Sequence, residues 1–238
     1  MRVEILGVGF DNVTMEQAIE RGRALLAQEG SHYVATPNPE IVETCRENEQ
    51  AREAVNAASL VLPDGIGVVY GARMLKTPLC ERVPGIEFGT AMIEHCAKVG
   101  KSVYLLGAKP GVAEMAAENL KERFEGLIIA GTGDGYFKDD AAAAEKIRES
   151  GAAMALICLG APKQELFMHR YAEATGARLL LGLGGSLDVF AGVAQRAPKF
   201  FCDHNLEWFY RLVKQPSRIG RMMRLPLFLV HVAKEKHK

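Results

Sequence analysis

Along most of its length the chain repeats one phrase: a short apolar run, a corner of Gly or Pro, then an amphipathic stretch. Runs that are apolar on both alternating faces must be covered on both sides, and a parallel sheet flanked by helices does this. The runs predict strands over 2–6, 32–36, 59–62, 102–106, 127–130, 153–159 and 178–182. The stretches between them predict helices over 14–28, 39–57, 66–75, 86–99, 112–124, 140–150 and 163–175. Thr14 followed by Gln17 has the form of a capping box at the first helix start. Residues 1–196 therefore read as one α/β domain, a Rossmann-like, mostly parallel sheet between helices.

From residue 197 the character changes. Helices are expected over 205–214 and 217–236, separated by Pro216, with Pro226 inside the second. The whole chain balances 29 basic against 29 acidic side chains, but residues 197–238 hold nine Lys and Arg against three Asp and Glu. The balance argues against a nucleic-acid partner, and the local excess calls for a local anionic one. Arg211, Lys214, Arg218 and Arg221 would share a face if the helical path were continuous, which Pro216 weakens. With the apolar run Leu225-Pro226-Leu227-Phe228-Leu229-Val230, residues 197–238 read as a basic, helical, membrane-associating appendage. The alternative is that this run packs on the body or on another subunit, and a mobile tail would leave apolar surface for a homo-oligomer. No run is long and apolar enough to span a bilayer, and the opening residues are too charged for a signal peptide. Five scattered cysteines without CxxC spacing exclude a disulfide scaffold and a zinc ribbon, and fit a reducing cytosol.

Open parallel sheets bind ligands at the carboxyl ends of their strands. Gly7-Val8-Gly9 lacks a third glycine and reads as a tight turn rather than a dinucleotide site. Thr36-Pro37-Asn38-Pro39-Glu40 offers a hydroxyl and an amide at a stiffened corner, although Asn38 is equally suited to cap the next helix. Asp64, in Pro63-Asp64-Gly65, stands either as a helix cap or where a general base would take a proton from a sugar hydroxyl. Arg82, before Val83-Pro84-Gly85, can hold a phosphate or remain a surface cation. Three further corners are glycine-rich: Gly107 to Gly111, Gly160 to Glu165 with Lys163 and Gln164, and Gly182 to Ser186 with Gly184 and Gly185. Lys163 suits a diphosphate and Gln164 a sugar or a uracil. Together the three corners suggest a phosphorylated small molecule. Asp-x-Asp, histidine pairs at metal spacing and Gly-x-Ser-x-Gly are missing, so no metal or cofactor is expected and an esterase is disfavoured.

In this order, Thr36-Pro37-Asn38-Pro39-Glu40, Pro63-Asp64-Gly65, Arg82-Val83-Pro84-Gly85, Gly160-Ala161-Pro162-Lys163-Gln164-Glu165, Arg196-Ala197-Pro198 and Leu206-Glu207-Trp208-Phe209-Tyr210-Arg211-Leu212 resemble the WecG/TagA/CpsF family of bacterial glycosyltransferases over essentially the whole chain. The resemblance implies an inverting, metal-independent transferase on the cytoplasmic face of the cell membrane. For the TagA branch it implies UDP-N-acetylmannosamine as donor and undecaprenyl-diphosphate-linked N-acetylglucosamine as acceptor, in wall teichoic acid synthesis. It implies Asp64 as base, Thr36, Asn38 and Gln164 around the sugars, and Arg211, Arg218 and Arg221 reaching from the tail to the diphosphates. Ser186-Leu187-Asp188 departs from the family's usual Phe before Asp, which bears on pocket shape. Another UDP-sugar, such as glucose, galactose or N-acetylmannosaminuronate, would suit the same motifs. A nucleotide-binding module without turnover is the alternative from another class.

Overall fold

The computed structural model describes residues 2–195, 197–198, 200–201, 210 and 224–236. The first expected strand does not join the main sheet. β1 (Arg2–Ile5) turns through Leu6 and Gly7, both at positive φ, and pairs antiparallel with β2 (Val8–Asp11). Asp11 explains the position of this hairpin. Its carboxylate accepts from Arg2 Nε at 3.1 Å, from Arg21 at 3.2 Å and from the Val61 backbone N–H at 2.9 Å. The hairpin thus covers the outer edge of the main sheet, a place that otherwise exposes unpaired backbone.

The main sheet has six strands, all parallel where they pair: β3 (His32–Ala35), β4 (Leu60–Val61), β5 (Ser102–Gly107), β6 (Ile128–Gly133), β7 (Met154–Cys158) and β8 (Leu179–Gly182). Their order is β4-β3-β8-β7-β5-β6. The period of two sends alternate residues to opposite faces. In β7, Ala155 and Ile157 enter one core while Met154, Leu156 and Cys158 enter the other.

On the first face lie α2 (Pro39–Glu47), α3 (Glu49–Asn56), α4 (Ile66–Met74), α7 (Asp140–Ser150) and α8 (Lys163–Tyr171). On the second lie α1 (Met15–Ala27), α5 (Gly85–Val99), α6 (Val112–Arg123) and α9 (Ser186–Phe190). The Thr14–Gln17 capping box is present. The single helix expected over 39–57 is two, because Asn48 closes α2 and its side chain caps α3 through Ala51 N–H.

The C-terminal helix α10 (Arg224–Glu235) packs on the body. Phe228 and Val232 are buried in the first-face core, against the glycine surface of α4 at Gly71. Leu227 and Val230, from the same apolar run, face outward. Polar contacts fix the helix further. Glu43, fully buried on α2, pairs with Arg46 and with His231 at 3.0 Å, and Arg224 donates to the Thr44 hydroxyl at 2.7 Å. Arg211, Arg218 and Arg221 lie outside the described residues, as does most of the 197–223 segment.

Candidate active site

The sheet order creates a place for a ligand. From β5 the chain runs through α6 on the second face outward to β6, and from β7 it runs through α8 on the first face the opposite way to β8. Connections that leave adjacent strands in opposite directions open a crevice at their carboxyl ends. Of the described residues singled out from the sequence, Gly107, Lys163 and Gln164 follow β5 and β7 at this crevice. Thr36, Asn38, Asp64, Arg82, Gly184 and Gly185 lie farther along the same edge, beside β3, β4 and β8.

Thr36 follows β3 directly, is 5% exposed, and its hydroxyl donates to the Gly182 carbonyl at the end of β8, at 2.6 Å. Gly85, the first residue of α5, lies against Thr36 so closely that a Cβ there would stand 3.1 Å from its Oγ1 and Cγ2. Asn38 caps α2, its Oδ1 accepting from Ile41 N–H at 3.0 Å. That job occupies the carbonyl end of the amide and leaves its nitrogen for other uses. Asp64 does not take the capping place the sequence allowed it: α4 starts from Gly65, at φ +98°, without a side-chain cap. The Asp64 N–H instead donates to the Pro37 carbonyl at 3.2 Å, tying the end of β4 to the Thr36–Asn38 corner. Arg82 is brought to the same edge by the next residue, since Val83 N–H donates to the Pro63 carbonyl at 3.0 Å.

Gln164 crosses between corners. It is 1% exposed, its Oε1 accepts from Gly184 N–H at 2.9 Å, and its Nε2 donates to Glu165 at 2.8 Å. The Gly184 amide, expected to face a ligand, is therefore engaged by Gln164, and Gly185 is an exposed residue at the start of α9. Lys163 donates to the Gly135 carbonyl at 3.2 Å and lies 3.8 Å from the centre of the Phe137 ring, so its ammonium group is held by the β6–α7 loop.

Gly107 has a structural reason of its own. At φ +139° it runs so close to β7 that a Cβ would lie 2.2 Å from the Cys158 carbonyl oxygen. Ala108 N–H donates to that same carbonyl at 3.3 Å, and Gly135 N–H donates to the Ala108 carbonyl at 2.9 Å. The structure thus gathers Thr36, Asn38, Asp64, Arg82 and Gln164, and sets Lys163 and Gly107 beside them. The partners Gly85, Gly182 and Glu165 were not assigned from the sequence. Each left a signal there as a member of a quoted motif: Gly85 in Arg82-Val83-Pro84-Gly85, Gly182 in the Gly182–Ser186 corner and Glu165 in Gly160–Glu165.

An edge of this kind, with a carboxylate among hydroxyl, amide and cationic groups, is where doubly wound α/β enzymes place their chemistry. The chain belongs to the WecG/TagA/CpsF family of glycosyl transferases, whose family model matches residues 3–238. A protein of Bacillus spizizenii, N-acetylglucosaminyldiphosphoundecaprenol N-acetyl-beta-D-mannosaminyltransferase, is 37% identical over 89% of this chain and 82% of its own length. A Staphylococcus aureus protein of the same name is 36% identical over 100% of this chain and 94% of its own.

Proposed function

We propose that the chain transfers N-acetylmannosamine from UDP-N-acetylmannosamine to undecaprenyl-diphosphate-linked N-acetylglucosamine, a step of wall teichoic acid synthesis. The carrying observation is that relatives named for this transfer match nearly the full length of the chain. The edge geometry supports it, since Asp64 shares its corner with Thr36 and Asn38.

In this reading Asp64 takes the proton of the acceptor hydroxyl as its oxygen attacks the anomeric carbon. The C–O bond to UDP breaks on the opposite face, which inverts the configuration. Negative charge gathers on the departing diphosphate, where fixed cations are worth most. Lys163 and Arg82 supply them from the body, and Arg211, Arg218 and Arg221 from the tail, in place of a metal. Thr36, Asn38 and Gln164 hold the sugars. The basic tail draws the enzyme to an anionic leaflet, as a peripheral protein on the inner face of the membrane. No helix among the described residues is long and apolar enough to cross a membrane.

The test is a transfer assay with a soluble lipid-diphosphate N-acetylglucosamine acceptor, a panel of UDP-sugars and EDTA. Turnover with UDP-N-acetylmannosamine should survive EDTA, and Asp64→Asn should lower kcat about 1000-fold. A preference for another UDP-sugar would move the donor assignment, and an Asp64→Asn enzyme at the parental rate would end the base assignment.

A further inference from the structure

Glu165 is an acid in the protein interior. It is 1% exposed, and its Oε2 has no hydrogen-bond partner among the described residues. An unmatched polar atom at that depth costs stability, so its presence needs a reason. The other oxygen, Oε1, accepts from Nε2 of Gln164, the residue before it. Consecutive residues on a helix point about 100° apart and do not normally meet. Here the two side chains converge at the first turn of α8.

The convergence settles which way round the Gln164 amide sits. A carboxamide has two orientations of nearly equal shape, and only its partners distinguish them. Gly184 presents an N–H to one end and Glu165 an acceptor to the other. Turned over, the amide would set its own N–H against the Gly184 N–H. The orientation held places Nε2 beside Gly182, where a Cβ would lie 3.4 Å from it. Gly182 is also the residue whose carbonyl receives the Thr36 hydroxyl. One hydrogen of Nε2 goes to Glu165, and an amide nitrogen carries a second. Burial pushes the Glu165 carboxyl above the usual carboxylate range, with the Gln164 bond opposing it. A neutral acid keeps an acceptor toward Gln164 without a bare charge in the core.

We propose that Glu165 is a positioning residue of the transfer site, fixing the Gln164 amide nitrogen beside the Thr36–Gly182 corner to donate to a hydroxyl or acetamido oxygen of the bound sugar. This rests on the transferase reading given above.

A mutant cycle on the full-length enzyme, in the same transfer assay, tests it. Glu165→Leu removes the acceptor and should lower kcat about 100-fold, the scale of a misplaced binding group, with less change in the donor KM. Glu165→Gln keeps an acceptor oxygen without a charge and should restore most of the rate. In a Gln164→Ala background, Glu165→Leu should cost less than about twofold more, because there is no amide left to orient. Equal losses from Glu165→Leu in both backgrounds, or a Glu165→Gln enzyme as slow as the Leu variant, would overturn the proposal. If Glu165→Leu does not fold, Glu165→Asp, which withdraws the carboxyl by one methylene, takes its place in the cycle. A wild-type enzyme inert with every UDP-sugar would count against the transferase reading itself. An active wild type with an additive cycle would remove only the role given to Glu165.

Discussion

The two halves of the sheet's carboxyl edge are joined by different means. Around β3, β4 and β8 backbone bonds such as Asp64 to Pro37 are joined by side chains that reach backbone across strands, as from Thr36 to Gly182 and from Gln164 to Gly184. Around β5, β6 and β7 the closest approaches are made by backbone on backbone, as from Ala108 to Cys158 and from Gly135 to Ala108, with Lys163 adding a side-chain bond to Gly135. The first half is therefore specified by which side chains stand there. The second is specified by where a side chain is missing. Glycine at a strand end, which suggested a cradle for phosphate, is at Gly107 first a requirement for two strands to approach.

That contrast can be broken at its glycines. Gly107→Ala should destabilise the fold by about 3–5 kcal/mol, combining a backbone clash with a strained φ. Gly184→Ala is the control in the other half: Gly184 has φ +52°, but no described residue lies within 4 Å of an added Cβ. It should cost only about 1–2 kcal/mol. Urea denaturation of both proteins measures the difference, and equal losses would erase the distinction between the halves.

A smaller effect is expected from Thr36→Val, which keeps the shape but strips the Gly182 carbonyl of its partner. Leaving that group unpaired should cost about 1–3 kcal/mol in the same titration. The transfer rate should fall as well, because Gly182 also borders the Gln164 amide. A Thr36→Val protein as stable as its parent would show that the side-chain ties are dispensable.

The smallest effect concerns Glu165 and its direction is fixed by linkage. Its carboxyl is raised in the folded state, so the stability it permits is present in acid and is lost as pH rises past the ordinary glutamate range. Glu165→Gln lacks this loss. The melting temperature of Glu165→Gln relative to wild type should therefore increase between pH 4 and pH 8, as thermal melts across that range will report. A difference that shrinks with pH would mean that the folded protein holds Glu165 charged.

Much of this arrangement was readable from residues in isolation. The capping box at Thr14, the strands at 32–36, 102–106 and 178–182, and the helix expected over 112–124 follow from hydrophobic period and local chemistry, whereas α9 after β8 was not expected. Thr36, Asn38, Asp64 and Gln164 were visible because polar groups at the end of an apolar strand have few other uses. What escaped depends on distant partners. β2 is short and interrupted by Gly9, and it is held by bonds from Asp11, Arg2 and Asn56 that no local pattern announces. β6 runs on to Gly133, past its expected end, because its glycines lie against Tyr104 and Leu106 of β5. The break at Asn48 was legible in principle, since Asn is a capping residue, but the apolar period continues across it. Strand order left no trace, because every inner strand looks alike to a hydrophobic pattern.

One bond carries a consequence in time. Thr36 and Gly182 are separated by 146 positions. A ribosome adding about 5–20 residues each second needs roughly 7–30 s to deliver the later one. Throughout that interval β3 has left the tunnel with one flank awaiting β8, a strand not yet made. Thr36 and Asp64 are among the first parts to be synthesised, yet the corner they belong to closes near the end of translation. A chain stalled before β8 holds the acid and the hydroxyl but has no site to put them in.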